Sequence, residues 1–458
     1  MIDTAPAGTY RAALDALQAR GRFGIRLGLG RTRALLRALG DPQLRLRGAL
    51  IGGTNGKGSV QAIVSAVLRE AGYRVGQTPK PHLVSYRERV LVEGSPIPAD
   101  QFGTLLSEVL DHADRLASRL GPPTEFEVLT AAAFAWFARS GVDLAVVEVG
   151  LGGRLDATNA WDGGVAVVTN VQYDHTDRLG DTLTAIGREK AAIIKRGDRG
   201  VTGAQGEGLA VIRRRVRRLG VPLVEAAPLA VEHMDRDGLW LRHSRLGVVR
   251  LALLGRHQAA NTAVALATLE ALEEAGFCDL PPDAVRGGLD RVRWPGRLEL
   301  IEARPSGDGQ GRPVEVLLDG AHNVAGAAAL IEALGELLPS LSAGRPTLLM
   351  ATMGDKDVAG MVGCLASSQM LRGAAVVTTR VESLGALSAT DLASAWRATS
   401  GAPGRTVEAV DEADAALAVA LAHAEREGGP LVVAGSLYLV GAVRRRLVRE
   451  PELEDPEG

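Results

Sequence analysis

The chain has 458 residues, 46% of them hydrophobic and 23% charged, which is enough sequence for two or three globular domains with sizeable cores. A net charge of −2 and an aromatic content of 3% argue against a nucleic-acid partner, because they provide neither a basic field nor stacking side chains. The two cysteines form no disulfide framework and no apolar run is long enough to span a membrane, so we expect a cytoplasmic protein without membrane contacts.

The basic residues are distributed unevenly between the two residue types. Of the 52 basic residues only five are lysine, namely Lys57, Lys80, Lys190, Lys195 and Lys356. A GC-rich genome or growth at high temperature would produce the same bias. However, an ammonium can lose its proton when buried whereas a guanidinium effectively cannot, so each lysine is a candidate for chemistry that arginine cannot perform.

In chain order, the first part of the sequence predicts alternating helices and strands. The predicted elements are a helix at 9–20, a strand at 46–51, helices at 60–71 and 126–140, and strands at 144–149 and 165–171. Such alternation indicates an α/β fold with a mainly parallel, P-loop ATPase-like sheet and helices on both faces.

A different pattern begins near residue 222. Short strands at 240–241 and 248–251 predict a small antiparallel addition to this first domain, and a long Ala-rich helix follows at 261–275. The segment Arg293–Arg297, which contains Pro295 and Gly296, is the best candidate for a domain boundary.

A second α/β series follows this boundary. Its predicted strands lie near 314–318, 347–351, 375–379 and 431–434. These predict a smaller, Rossmann-like α/β domain. We therefore expect one domain at 1–296, another at 297–450 and a disordered acidic tail at 451–458.

The strongest local signal is the loop Gly53–Ser59 (GTNGKGS), between a predicted strand and a predicted helix. Its glycines allow backbone N–H groups to converge on phosphate oxygens, the helix N-terminus adds its dipole, and Lys57 supplies charge. The strict G-x-x-x-x-G-K-[ST] pattern is not met, because Ile51 stands at the first glycine position and Gly58 follows Lys57. An ordinary turn is the alternative, but the flanking elements favour a phosphate-binding loop.

Charged side chains follow the next two predicted strands. Glu148 ends one strand just before a glycine-rich segment and could hold Mg²⁺, or could simply pair with Arg154. Asp174 and His175 follow the next strand, where they could complete a second cation site or form only a structural pair. Because ligands bind at the carboxyl edge of open α/β sheets, the position of these residues favours a metal site.

Polar residues also follow three strands of the second series. They are Asp319–Asn323 (DGAHN), Gly354–Asp357 (GDKD) and Gly435-Ser436. Three polar strand ends on one edge predict a binding rim more readily than three unrelated turns. Asn261, near the start of the long helix, is either a ligand to a base or phosphate or a plain N-cap.

Several of these segments, taken in order, resemble a known family. They are Gly53–Ser59, Pro81–Leu83 with Glu88-Arg89, Phe126-Glu127, Glu148–Asn159 (EVGLGGRLDATN), Asp174–Gly180 (DHTDRLG), Arg188–Lys195 (REKAAIIK), Gly296-Arg297, Asp319–Asn323, Gly354–Asp357 and Gly435-Ser436. The series resembles the bifunctional dihydrofolate synthase/folylpolyglutamate synthase family of the Mur ligase superfamily over about residues 25–445. The glycine loop and EVGLGGRLDATN are the most specific segments.

The resemblance implies an ATP-dependent ligase that adds L-glutamate to dihydropteroate, to (poly)glutamylated folates, or to both. ATP would phosphorylate the carboxylate, and the glutamate amine would attack the acyl phosphate and displace phosphate. The implied cofactors are ATP and one or two Mg²⁺ ions, and the implied partners are small molecules only. The first domain would bind ATP and folate, the second would bind glutamate, and we expect a monomer.

The resemblance also implies roles for individual residues. The implied ATP-binding residues are Thr54, Asn55, Gly56, Lys57, Gly58, Ser59, Asn261, Arg297, Asp319 and His322. The implied substrate-binding residues are Arg26, Leu27, Gly28, Leu29, Phe126, Arg154, Leu155, Asp156, Ala157 and Ser436. The implied metal ligands are Ser59, Glu148, His175 and Lys190, the last as a carbamate. The residues implied to act in the reaction are Lys57, Lys190, Asp319 and His322.

One position departs from the family pattern. The family usually has Ser-Pro-His-Leu, with a magnesium-binding hydroxyl, where this chain has Lys80-Pro81-His82-Leu83. Because a protonated ammonium cannot bind a metal ion, Lys80 either points elsewhere or replaces part of the metal's charge.

Two other functions fit part of the same residues. One is a ligase for a cell-wall or other amino-acid carboxylate. The other is a P-loop phosphotransferase, or a nucleotide-binding protein without catalysis. ADP release that depends on both glutamate and dihydropteroate separates the folate ligase from these alternatives.

Overall fold

The structure is a computed structural model, and it describes residues 7–24, 26–304, 312–383, 385–399 and 406–456. The chain forms two compact units. The first unit comprises Met1–Ala230, Gln258–Val292 and Pro451–Gly458, and the second comprises Val231–His257 and Arg293–Glu450. No helix among the described residues is long and apolar enough to cross a membrane.

The first unit is built on an eight-stranded sheet. Its strands are β1 (Gly48–Gly52), β2 (Val75–Thr78), β3 (Leu91–Val92), β4 (Ser95–Pro96), β5 (Leu144–Glu148), β6 (Gly164–Val168), β7 (Arg199–Thr202) and β8 (Leu223–Glu225). Their order is β4-β3-β2-β5-β1-β6-β7-β8, and every pairing is parallel except the two that involve β3. This arrangement confirms the predicted mainly parallel sheet.

Ten helices accompany this sheet in the described residues. They are α1 (Ala7–Gln18), α2 (Gly30–Ala38), α3 (Lys57–Glu70), α4 (Ala99–Leu120), α5 (Glu125–Arg139), α6 (Thr176–Leu179), α7 (Leu183–Ala191), α8 (Gly206–Leu219), α9 (Gln258–Glu274) and α10 (Pro282–Arg291). The central strands β1 and β5 are buried throughout, as expected for parallel strands covered on both faces. α5 begins with a capping box, in which Thr124 and Glu127 satisfy each other's backbone N–H groups.

Helix α9 begins three residues earlier than predicted, at Gln258 instead of Asn261. Asn261 therefore lies in the first turn of the helix and is not its N-cap. This position rules out the plain N-cap as the explanation for Asn261 and leaves its side chain available to the glycine loop.

The second unit contains the antiparallel sheet and the second α/β series. The antiparallel strands are β9 (Ala230–Asp235), β10 (Gly238–His243) and β11 (Gly247–Leu251), in the order β11-β10-β9. The other strands are β12 (Glu299–Ala303), β13 (Val314–Leu318), β14 (Thr347–Met350), β15 (Ala375–Thr378), β16 (Val407–Ala409) and β17 (Leu431–Ala434), in the order β12-β13-β17-β14-β15-β16. Helices α11 (Val324–Leu337), α12 (Val358–Ser367), α13 (Ala389–Ala398), α14 (Ala413–Glu427) and α15 (Leu437–Leu447) connect them.

The six-stranded sheet confirms the predicted second α/β domain, with only β12 antiparallel to its neighbour. The antiparallel addition exists as predicted, but residues 231–257 group with the second unit and not with the first. Side-chain contacts explain this grouping, because Arg236 pairs with Glu315 at 2.9 Å and Arg256 pairs with Glu336.

The expected disorder of the acidic segment 451–458 does not hold for its described part. Pro451–Leu453 forms a 3₁₀ turn, and Arg87 donates hydrogen bonds to the Glu454 carbonyl at 2.9 Å and the Asp455 carboxylate at 3.1 Å. Composition alone did not reveal this order, because the partner lies more than 300 positions earlier in the chain. Residues 457–458 lie outside the described residues.

Candidate active site

The glycine loop connects β1 to α3 and presents backbone N–H groups to a single oxygen atom. Thr54 and Asn55 both donate to the Asn170 side-chain oxygen, at 3.1 and 2.9 Å. Gly56 has a φ of 80°, and a Cβ there would lie 2.1 Å from the Asn261 side-chain oxygen. Only glycine fits this position, and the converging N–H groups have the arrangement that a phosphate oxygen requires.

Two lysine ammonium groups converge on the same loop. Lys57 Nζ donates to the carbonyl oxygens of Gly53 and Thr54 at 3.2 and 2.9 Å, and Lys190 Nζ donates to Gly53 at 2.9 Å. Lys190 is buried, and this burial, together with the positive charge of Lys57, lowers its pKa to about 7, with Asp174 opposing. The structure therefore places the two lysines expected to act in the reaction on one carbonyl oxygen.

A chain of polar side chains connects Asn261 to the start of α3. Asn261 donates to the Gln258 side-chain oxygen at 2.8 Å, and Gln258 donates to the Ser59 hydroxyl at 3.3 Å. Ser59 and Gln258 are buried. Asn261 and Ser59 thus meet beside the glycine loop, and Gln258 is a contributor that the sequence analysis missed.

The proposed metal ligands are only partly brought together. Glu148 is buried at the end of β5, where it pairs in register with Ile51 of β1. His175 is half-exposed and lies 3.6 Å from the Asp174 carboxylate. No group of three or more His, Cys, Asp and Glu side chains within the described residues is placed to hold a metal ion.

The side chain of Lys80 lies between Glu148 and Phe126. Its ammonium donates to the Glu148 backbone carbonyl and lies 4.5 Å from the centre of the Phe126 ring. Its backbone N–H donates to the Glu148 carboxylate at 3.1 Å. Burial lowers the pKa of Lys80 to about 8, against the opposing charges of Asp156 and Glu148. Lys80 is therefore a neighbour of both a proposed metal ligand and a proposed substrate contact.

A small pocket lies beside Phe126 and is mostly apolar. It is lined by Thr78, Lys80, Arg89, Phe126, Leu129, Thr130, Ala133, Phe134, Val147 and Thr158. An apolar pocket with a few polar side chains is typical of a site for a small molecule. Thr78, Arg89, Thr130 and Thr158 are lining residues that the site assignments from sequence left out.

The segments 26–29 and 154–157 carry the other substrate residues proposed in the first unit. The Gly28 N–H donates to the Leu155 carbonyl at 3.3 Å, which joins the segments 26–29 and 154–157. Asp156 is buried and caps the turn at Ala157–Ala160, whereas Arg154 pairs with Glu189 at 2.8 Å.

In the second unit, the predicted residues at the end of β13 form their own cluster. Asp319 accepts hydrogen bonds from the backbone N–H groups of Leu298 and Ala321 at 3.0 and 2.9 Å. Burial raises the pKa of Asp319, against the neighbouring Arg297 guanidinium and His322. His322 Nδ1 lies 2.7 Å from the Gly320 carbonyl, and Ser436 caps α15 by accepting from Tyr438.

Three residues after β6 complete the glycine loop and were not assigned from sequence. The Thr169 hydroxyl donates to the Asn55 carbonyl at 2.6 Å, and Asn55 donates through its side chain to Gln172 at 2.7 Å. Asn170 accepts the two N–H groups described above. A signal for Asn170 existed, because it is one of only five asparagines and lies near the C-terminal end of the predicted strand 165–171.

Comparison with known proteins places this geometry in a family. Residues 51–269 match the model of the Mur ligase middle domain, and residues 305–447 match that of the dihydrofolate synthetase C-terminal domain. A dihydrofolate synthase/folylpolyglutamate synthase from Bacillus subtilis is 34% identical over 77% of this chain and 82% of its own length. The chain belongs to the dihydrofolate synthase/folylpolyglutamate synthase family.

Solved structures of the family share the whole fold. Mycobacterium tuberculosis folylpolyglutamate synthase, complexed with ADP, has a TM-score of 0.82 and 32% identity, covering 97% of this chain and 99% of that one. FolC from E. coli, in complex with DHPP and ADP, has a TM-score of 0.77 and 28% identity, covering 95% and 97%. This chain is thus an ATP-dependent ligase of the family, as the sequence motifs predicted.

Proposed function

We propose that the chain adds L-glutamate to dihydropteroate, to (poly)glutamylated folates, or to both, through an acyl-phosphate intermediate. The observation that carries this proposal is the convergence of Lys57, Lys190 and the N–H groups of Thr54 and Asn55 on one loop. Formation of an acyl phosphate requires neutralisation of charge along a triphosphate, which the Lys57 ammonium and the two N–H groups would provide. The pocket beside Phe126 would receive the planar part of the substrate.

Mg²⁺ fits this site through few protein ligands. Mg²⁺ usually binds one or two protein oxygens together with substrate phosphates, so a cage of acidic residues is not required. The buried Ser59 hydroxyl, at the start of α3, and the buried Glu148 carboxylate offer such oxygens. When bound there, Mg²⁺ would neutralise charge on the phosphates. With two ions, Glu148 and His175 would each hold one Mg²⁺, and Ser59 and a carbamylated Lys190 are the further proposed ligands.

A carbamate on Lys190 is supported by burial and by charge. The amine lies in a buried position beside Lys57, where a second positive charge is unfavourable. Addition of CO₂ to the neutral amine forms an N–C bond, releases one proton and gives an anion with two oxygens. This anion would attract Lys57 or a metal ion, whereas the ammonium repels both.

We extend the proposal to the remaining assignments. The first unit would bind ATP and the folate, and residues 297–450 would bind glutamate, with Asn261, Arg297, Asp319 and His322 on ATP. The cluster of Arg297 and His322 around Asp319 supports a charged ligand there. The chain would act as a cytoplasmic monomer on small molecules.

The proposal is tested by ADP release in two separate assays, one with dihydropteroate and one with tetrahydrofolate. We expect release that requires both glutamate and at least one of these acceptors. ADP release without glutamate would indicate a phosphotransferase, and no release with either acceptor would refute the proposed substrates.

A further inference from the structure

Both ends of the segment Lys80–Arg89 line the pocket beside Phe126. Between these ends the segment closes on itself as a compact turn. The Glu88 carboxylate accepts hydrogen bonds from the backbone N–H groups of residues 83, 84 and 85, at 3.0, 2.6 and 2.7 Å. The position of this turn therefore determines where the two cationic side chains stand in the pocket.

The turn is also closed by side chains near its pocket end. Arg89 donates through Nε to His82 Nδ1 at 2.9 Å, and the His82 ring packs against Tyr86 with a centroid distance of 4.2 Å. A displacement at one point of the turn is therefore transmitted to Arg89, because the turn has little freedom to deform locally.

Glu454 and Asp455 accept hydrogen bonds from two other residues of the turn, Arg87 and Ser85. The Arg87 guanidinium is only 5% exposed and donates to the Glu454 carbonyl at 2.9 Å, the Asp455 carboxylate at 3.1 Å and the Ile97 carbonyl at 3.3 Å. The Ser85 hydroxyl donates to the same Asp455 carboxylate at 2.7 Å. Two residues of the turn thus share one acidic partner.

The cost of losing the Arg87–Asp455 ion pair depends on burial, because Arg87 is more deeply buried than Asp455. A buried guanidinium needs a counter-charge, and removal of its partner costs far more than removal of a surface pair. Asp455 is 34% exposed, so solvent screens part of this loss. Without Asp455, Arg87 regains solvation only if the turn moves toward solvent.

We propose that Glu454 and Asp455 are positioning residues that hold the turn Lys80–Arg89 in place and thereby set the affinity of the pocket for the pteroate-type substrate. Neither residue touches the pocket. The identity of this substrate rests on the proposed function, whereas the fastening of the turn does not.

The test uses the full chain with Asp455→Ala. We expect backbone amides of residues 83–90 to exchange with deuterium about tenfold faster, because a buried ion pair and a hydroxyl contact are lost. The KM for the pteroate-type substrate should rise about tenfold, with kcat and the KM for ATP within about twofold of wild type. Asp455→Asn keeps an acceptor oxygen, so its exchange rate and its KM for the pteroate-type substrate should lie between those of the wild type and those of Asp455→Ala.

Glu452→Ala is the matched control, since Glu452 is an exposed acidic residue of the same segment. It should change neither the exchange nor the KM. Unchanged amide exchange of residues 83–90 in Asp455→Ala would overturn the proposal. A lower Tm together with parallel changes in kcat and in the KM values for both ATP and the pteroate-type substrate would also overturn it. If the wild type does not ligate glutamate, the proposed function fails, while the exchange measurement still decides whether Asp455 fastens the turn.

Discussion

Replacement of Lys190 by arginine tests the chemistry of the glycine loop most directly. Lys190→Arg keeps a positive charge but removes the only atom that can carry a carbamate, because guanidinium is not deprotonated in proteins. If Lys190 acts as an ammonium, the arginine variant should retain much of its activity. If it acts as a carbamate, kcat should fall by about a hundredfold or more, because an anion is replaced by a cation beside Lys57.

The structure gives the magnitude of the effect on the amine. Burial first, and then Lys57, lowers the pKa of Lys190 from 10.5 to about 7. At pH 7.5 roughly three quarters of the amine is therefore neutral, against about 0.1% for an ordinary lysine. Only the neutral amine adds CO₂, so the reactive form of Lys190 is several hundred times more abundant, to an order of magnitude, than that of an exposed lysine. Activity should decline as the pH falls through about 7, where the amine becomes protonated.

The assay combines turnover with direct detection of the carbamate. With ¹³C-labelled bicarbonate, the wild type should show a carbamate carbon signal in NMR spectra that disappears in Lys190→Arg. Lys195→Arg is the matched control, because Lys195 is a partly buried lysine whose ammonium donates to the Trp161 carbonyl at 2.7 Å. Lys190→Ala should regain part of its activity with acetate. An active Lys190→Arg, or rescue of Lys190→Ala by short amines only, would refute the carbamate.

Three further predictions concern the same edge of the sheet. Lys57→Ala should lower ligation by about a thousandfold without changing the circular dichroism spectrum, because its ammonium serves the phosphates; near-wild-type turnover would contradict this role. Gly56→Ala should raise the KM for ATP and lower the free energy of unfolding by about 1–3 kcal/mol. The reason is that the new Cβ would clash with the Asn261 side chain and that φ is positive at this position. An unchanged denaturant midpoint would refute this prediction. Lys80→Ser should increase the dependence of activity on Mg²⁺ concentration, because it exchanges an ammonium beside Glu148 for a hydroxyl; an identical magnesium titration would show that Lys80 is remote from the metal.

The parts of the fold that the sequence predicted are those in which a strand is mostly apolar. β17 was predicted with the observed bounds because it is an apolar run flanked by turn residues, and β13 was predicted likewise because only Glu315 interrupts its apolar run. β7 was missed, because its Arg199–Thr202 segment contains polar residues in a buried strand. Thr202 is tolerated there because its hydroxyl donates to the Val168 carbonyl of the neighbouring strand at 2.8 Å. Such compensation depends on pairing, which a local pattern does not reveal.

The same distinction holds for the site. Gly53–Ser59 was assigned from its own spacing, because one continuous loop supplies the N–H groups and the ammonium. Asn170, Gln258 and Asp455 were missed, because each acts on a residue that lies far away in the chain. The single asparagine after β6 could have been found by its rarity, whereas nothing in the local sequence distinguishes Asp455 from the other acids of its segment.

Four of the five lysines share one structural role. Lys57, Lys80, Lys190 and Lys195 each donate their ammonium to backbone carbonyl oxygens, at Gly53 and Thr54, Glu148, Gly53 and Trp161 respectively. An ammonium can form its hydrogen bonds with one or two carbonyl oxygens, whereas a planar guanidinium has five N–H donors that need acceptors when it is buried. A buried guanidinium would also stay charged, while the pKa values of Lys80 and Lys190 fall to about 8 and 7. At Lys80 and Lys190, lysine therefore places a cation on a buried carbonyl oxygen that can still give up its proton.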